Sequence, residues 1–178
     1  SLRIARDNIN GFSKRCKFRL RYYENDKALC NIEIKKKINK FGFKSVINTH
    51  KSLKEINLNK IFSIKSDWKL DLLKEDFAMR YILEDYLRPQ IKINYLRNYY
   101  ISGNVRLTHD ENIFYQSYDN YHDTKKKIIS DEMNVLELKF NIEDQSEAGK
   151  ILNSIPVKPK RFSKYLRGLS LFNSSVYF

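Results

Sequence analysis

The sequence predicts an α+β protein in which antiparallel strands close into a β-barrel and helices pack outside it. Three observations lead there. Segment after segment alternates apolar and charged residues with the period of two of a half-buried strand. Each such segment carries one or two charges in the middle of its alternation, and the longest intervening stretch repeats its apolar residues at the 3.6 period of an amphipathic helix. Closing these strands into a barrel points one set of side chains into a shared lumen. A lumen holding so many cations is costly when dry, so it must be wet and hold anions.

The alternation begins in residues 13–37, SKRCKFRLRYYENDKALCNIEIKKK. Lys17, Arg19 and Arg21 alternate with Phe18, Leu20 and Tyr22; beyond the polar residues 24–27, Ile32 and Ile34 separate Glu33, Lys35 and Lys37. The pattern is that of an antiparallel hairpin. A loop over 24–27 would pair Arg21 with Cys30 and Arg19 with Ile32, and the facing of every side chain depends on that register. Solvent faces usually mix both signs of charge, whereas the first strand offers three cations and no carboxylate, a set better suited to a multivalent anion. Phe41 and Gly42 then turn the chain into a short strand over 43–48 that carries Lys44.

Residues 1–12 are mostly polar, with a turn at Asn10 and Gly11, and 51–56 reads as one helical turn or a loop. Over 66–87, Trp68, Leu72, Leu73, Phe77 and Tyr81 make an apolar helical stripe, capped by Ser66 or Asp67 and ended at Arg88 and Pro89. The next strand, 90–100, begins one face with Ile91 and Ile93 and continues it with Tyr95 and Arg97, as a barrel wall would when its interior changes from packed to polar. A turn at 102–104 leads into 105–109 with Arg106, and a second turn over Asp110, Glu111 and Asn112 leads into 113–118. Residues 119–131 read as a polar loop with the basic run Lys125, Lys126 and Lys127. The last strand, 133–140, sets Glu137 and Lys139 on one face; a helix over 143–155 capped by Asp144 follows, then a basic patch of Lys160, Arg161, Lys164 and Arg167 that begins a short helix near Ser163.

Composition limits the partners. The 178 residues suit one domain with a core large enough to need no disulfides, and 42% hydrophobic content with 12 Tyr and 11 Phe supports a folded chain. The 34 Lys+Arg against 21 Asp+Glu give +13, which favours nucleic acid, anionic membrane or phosphate chains. Cys16 and Cys30 lie far apart along the hairpin, so no disulfide is expected, and a reducing, cytoplasmic setting follows. His50, His109 and His122 lack the spacing of a zinc site. No apolar run reaches the roughly 18 residues of a membrane span and no signal peptide opens the chain. The first residue is Ser1 rather than Met, so a fragment is expected.

In order and spacing, KFRLRYY, NIEIKKK, LRP…NYLRNYYI, VRLTHD, VLELKF and RFSKYLRG resemble the polyphosphate polymerase (VTC, vacuolar transporter chaperone) domain of the CYTH or triphosphate tunnel metalloenzyme superfamily. The resemblance covers nearly the whole chain. It implies a closed antiparallel tunnel that binds a phosphate chain with Mn2+ or Mg2+ and extends polyphosphate from the terminal phosphate of ATP. It also implies residue roles: Arg19 and Arg21 match the RxR phosphate pair, Glu33 and Lys35 the ExK strand, and Lys44 the lysine of the next strand. Tyr95 and Arg97 match YxR, Arg106 opens RxTxD, Glu137 is the metal-binding glutamate of LELK beside Lys139, and Lys164 is the lysine of the SKY motif. The family's first strand and the segment after it have no counterpart here, so a single tunnel domain incomplete at its N-terminus is expected.

On this reading the partners are ATP and polyphosphate or pyrophosphate, with any membrane attachment supplied by other subunits of a complex. Two readings on the same fold stay open: a tripolyphosphatase or nucleoside triphosphatase, if water replaces the chain end, and a domain that only binds polyphosphate. A nucleic-acid module would interleave aromatics with cations on one exposed face. In the first strand the aromatics take the opposite parity, which argues against nucleic acid.

Overall fold

A computed structural model of the chain describes residues 3–23, 29–57, 89–118 and 127–172. It divides into two compact units, Ser1–Pro89 and Gln90–Phe178. The expected helix over 66–87 and the basic run at Lys125 and Lys126 lie outside the described residues.

The first unit holds helix α1 (Arg3–Ile9) and strands β1 (Lys14–Arg21), β2 (Asn31–Ile38) and β3 (Phe41–Asn48). The helix occupies a stretch read from the sequence only as mostly polar, with a turn at Asn10 and Gly11. It buries Ala5, and Gly11 just beyond it takes a left-handed φ of 66°, the conformation glycine adopts most easily at a helix end. The strands pair antiparallel in the order β1-β2-β3. Their register differs by one residue from the expected one: Arg19 lies opposite Glu33 and Arg21 opposite Asn31. The side-chain period is two, so this slip decides which residues meet. Arg15, Lys17, Arg19 and Arg21 now share a face with Glu33, Lys35 and Lys37 and, through the next ladder, with Lys44. The opposite face buries Cys16, Ile32 and Ile34. Cys16 and Cys30 are both buried, and neither is part of a disulfide, as expected. The β2–β3 turn falls at Asn39 and Lys40 rather than at Phe41 and Gly42, with Asn39 at a positive φ of 54°. A short 3-10 turn, Leu53–Glu55, follows, closed by reciprocal contacts of Ser52 and Glu55.

The second unit holds β4 (Ile91–Ser102), β5 (Val105–Ser117), β6 (Ile128–Asp131), β7 (Val135–Lys139), α2 (Gln145–Ser154) and α3 (Lys164–Phe172). Strands β4 and β5 form a long hairpin, and β6 and β7 pair in succession with the other edge of β5. The turn expected at residues 110–112 is absent: β5 runs through it unbroken. Between Asn94 and Leu96 the register shifts, two residues of β5 opposing one of β4, with Asn112 at φ 51°. This is a bulge, and its extra residue keeps both buried sets of β5 on one face. Arg106, Thr108 and Asp110 precede it and Ile113 and Tyr115 follow it, all facing as Ile93, Tyr95 and Arg97 do. Residues 128–131, expected within a loop, are strand β6. Asp144 precedes α2 as expected, but its side chain accepts from Asn104 Nδ2 at 3.1 Å rather than capping the helix.

Antiparallel sheets with a few helices make the chain α+β, as the sequence predicts. Among the described residues each sheet is open, and neither closes into the expected barrel. No helix among the described residues is long and apolar enough to cross a membrane.

Helix α3 is held against its sheet at close range. A Cβ on Gly168 would lie 2.5 Å from Ile91 Cδ1 and from a Cδ1 of the fully buried Tyr115. Gly168→Val should therefore overpack this contact, by more than the slightly better helix propensity of valine recovers, costing about 1–3 kcal/mol. Thermal unfolding followed by circular dichroism checks this; an unchanged Tm would mean that the helix has room to withdraw.

Candidate phosphate-binding faces

In the first unit the cations gather around one carboxylate. Glu33, with a side chain 5% exposed, accepts from Arg19, from Arg21 Nη1 at 3.2 Å and from Lys44 Nζ at 3.3 Å. The register places Arg19 directly opposite Glu33, with Arg21 one pleat along β1 and Lys44 on β3. Burial alone would raise the Glu33 carboxyl, but hydrogen bonds and charge from Arg19 and Arg21 outweigh it and bring it down to about 2. Arg21 also lies over the Tyr23 ring at 4.7 Å. Beyond this cluster, Lys17, Lys35 and Lys44 stand in one row across the three strands, next to Arg15 opposite Lys37. These side chains line an open hollow with Lys36, Gly42 and Phe43.

The second unit repeats the arrangement. Asp110, completely buried, accepts from Arg97 Nη2 at 2.7 Å and from Lys164 Nζ of α3. Burial would raise the Asp110 carboxyl, yet Arg97 and Lys164 hold it below the usual carboxylate range; the bond to Asp110 in turn raises Arg97. Tyr95 stacks against both cations, 5.2 Å from Arg97 and 4.9 Å from Lys164, and Tyr99 lies 5.9 Å from Arg97 on its other side. Glu137 on β7 is half exposed, with Lys139 at 3.3 Å and Arg97 at 3.9 Å. Arg106, exposed, pairs across the ladder with Lys139. The apolar end of the same sheet is covered by α3, which a second ion pair, Arg167 to Asp131 at 3.2 Å, also fastens.

The residues expected from the sequence thus fall into two sets. Arg19, Arg21, Glu33, Lys35 and Lys44 share a face of the first sheet, and Tyr95, Arg97, Arg106, Glu137 and Lys139 share a face of the second, with Lys164 reaching it from α3. Asp110 escaped the sequence reading because Asp, Glu and Asn in succession resemble a turn. Its parity with Arg106 and Thr108 was the available signal. Among the described residues no three His, Cys, Asp or Glu side chains gather as a metal cage.

The family model for the VTC domain matches residues 2–173 of the chain. None of the curated proteins matches it.

Two predictions follow from the ion pairs. The Glu33 value is depressed from 4.5 to about 2, so its contribution is complete above 4.5 and lost as pH falls through about 2. That difference is on the order of 3 kcal/mol by linkage, reduced to about 1–2 by solvent around the half-exposed Arg19 and Lys44. Denaturant melts should show wild type more stable than Glu33→Gln near neutral pH, with the gap closing towards about pH 2; a gap independent of pH would exclude the ion pair as its source. Asp110→Asn leaves Arg97 and Lys164 facing each other without a counter-charge and should cost about 3 kcal/mol, the low end for a broken buried pair. The same melts read it, and a loss below about 1 kcal/mol would place Asp110 among ordinary surface pairs.

Proposed function

The chain belongs to the VTC domain family, which is associated with polyphosphate synthesis, and from that membership we propose that it is a polyphosphate polymerase. It transfers the γ-phosphate of ATP to a growing polyphosphate chain inside a basic tunnel, with a divalent metal. The observation that carries the reading is the polar face of the second sheet, where the half-exposed carboxylate of Glu137 lies beside Lys139 and Arg97, with Arg106 on the same face and Lys164 reaching it from α3. Such a face suits a linear anion whose charge is spread along its length.

The reaction needs no protein nucleophile. An oxygen of the terminal phosphate of the chain forms a bond to the γ-phosphorus as the bond to the β–γ bridging oxygen breaks and ADP leaves. The task of the protein is to align the two phosphate chains and to neutralise the charge of the transferring group. Arg97 is suited to it because Asp110 fixes its guanidinium on one side and Tyr95 and Tyr99 flank it, so little ordering remains to be done when the anion arrives. Arg106 and Lys139 offer further cationic contacts along the same face. The first unit carries a face of the same kind, with Arg19, Arg21, Lys35 and Lys44 on it and Glu33 holding the two arginines and Lys44 in place.

The residues fit Mn2+ or Mg2+, which is commonly bound by one or two carboxylates together with phosphate oxygens and water. Glu137 would hold it, since its carboxylate is half exposed, whereas Asp110 is buried with both oxygens engaged. When bound, the ion would offset the negative charge of the phosphate groups.

The test incubates the full-length gene product with ATP and manganese and resolves polyphosphate chain length against released orthophosphate. Long chains are expected from wild type, with the rate reduced by about 100-fold or more in Glu137→Ala and Arg106→Ala. Orthophosphate without chains would move the assignment to a hydrolase of the same fold. Polyphosphate binding without turnover would leave a binding subunit.

A further inference from the structure

We infer that the hydroxyl of Thr108 is a phosphate-binding group of the second sheet, donating a hydrogen bond to an anionic oxygen of the bound phosphate chain. The inference rests on the phosphate-chain reading above and adds a residue to it.

Thr108 is 7% exposed, and its Oγ1 is buried without a hydrogen-bond partner. A buried hydroxyl in that state is costly, and valine would fill the same space with the same β-branched shape and no polar atom. The packing of β5 therefore gives no reason for a hydroxyl. The surroundings do. Thr108 lies between Arg106 and Asp110 on its own strand, opposite Tyr99 on β4 and opposite Glu137 on β7. It stands at the centre of the polar face, flanked by strands on both sides.

The two acceptors closest in the ladder are already directed elsewhere. Asp110 receives Arg97 and Lys164, and Glu137 lies 3.3 Å from Lys139. Neither carboxylate takes a bond from Thr108, and on a face of cations the acceptor that suits its hydroxyl is an anionic oxygen. Phosphate oxygens each accept several bonds, so one oxygen can take a charged contact and the hydroxyl together. The two kinds of contact do different work. Cations attract the chain over a distance and tolerate sliding, whereas a buried hydroxyl bonds only an oxygen at a fixed position, about 2.7 Å away. Thr108 thereby sets where along the face a phosphate comes to rest.

Isothermal titration of the full-length protein with inorganic tripolyphosphate, without divalent metal, tests this in wild type, Thr108→Val and Thr108→Ser, with the Tm of each unliganded protein measured alongside. Thr108→Val should weaken binding by about tenfold or more while its Tm stays at or above that of wild type, because the orphaned hydroxyl is gone. Thr108→Ser keeps the hydroxyl and should bind within about threefold of wild type. Equal affinity for Thr108→Val and wild type overturns the inference while leaving the phosphate-binding face intact. Equal weakening in Thr108→Val and Thr108→Ser also overturns it, since shape rather than the hydroxyl would then matter. A wild type that binds no tripolyphosphate, with Arg106→Ala indistinguishable from it, overturns the underlying reading and the inference with it.

Discussion

The second unit depends on one buried carboxylate. Asp110 has no exposed surface, and a charge so placed is tolerated only when paired and hydrogen-bonded on every side. Its two partners come from different elements, Arg97 from β4 and Lys164 from α3. Satisfying it fixes the hairpin and the helix together. Arg167 repeats the attachment one helical turn along at Asp131, and Gly168, next in sequence, lets the helix backbone approach Ile91 and Tyr115. The same pairing orients the head groups of Arg97 and Lys164, so the interaction that fastens α3 also orders the polar face.

Both units use a carboxylate to organise cations. Glu33 stands among Arg19, Arg21 and Lys44 as Asp110 stands between Arg97 and Lys164. Unpaired guanidinium groups crowded on one sheet face would repel and sample many rotamers. A buried acceptor at the centre reduces both effects, at the expense of one unit of charge. The remaining cations keep each face positive. Glu137 differs from these two carboxylates in its exposure, and this is why it alone among them suits a role towards a ligand.

Much of this was legible beforehand. Alternation placed Arg19 with Arg21, Tyr95 with Arg97, and Glu137 with Lys139 on common faces, because within a strand the parity of side chains follows from sequence alone. The family resemblance, carried by motifs across nearly the whole chain, agrees with the match over residues 2–173. The reading went astray where local composition and long-range pairing disagreed. Asp110, Glu111 and Asn112 have turn chemistry, yet the ion pair to Arg97 and the paired strands on both sides of β5 keep the chain extended and reduce the turn tendency to a bulge at Asn112. Helix α1 was missed because seven residues give too little periodicity to recognise.

The sequence by itself determined the element types of most strands, the closing helix and the residues that share a face within each strand. Tertiary structure decided the rest: which strands' faces coincide. Placing Glu33 rather than Ile32 opposite Arg19 is a matter of one residue of register, and no property of either strand alone selects it. The bulge likewise joins Ile113 and Tyr115 to the face of Thr108 and Asp110 only through pairing with β4. Parity is local and therefore written in the chain, whereas register and burial are free-energy balances among segments distant in sequence. The isolation of the Thr108 hydroxyl belongs to that second kind, visible only once β4, β5 and β7 lie side by side.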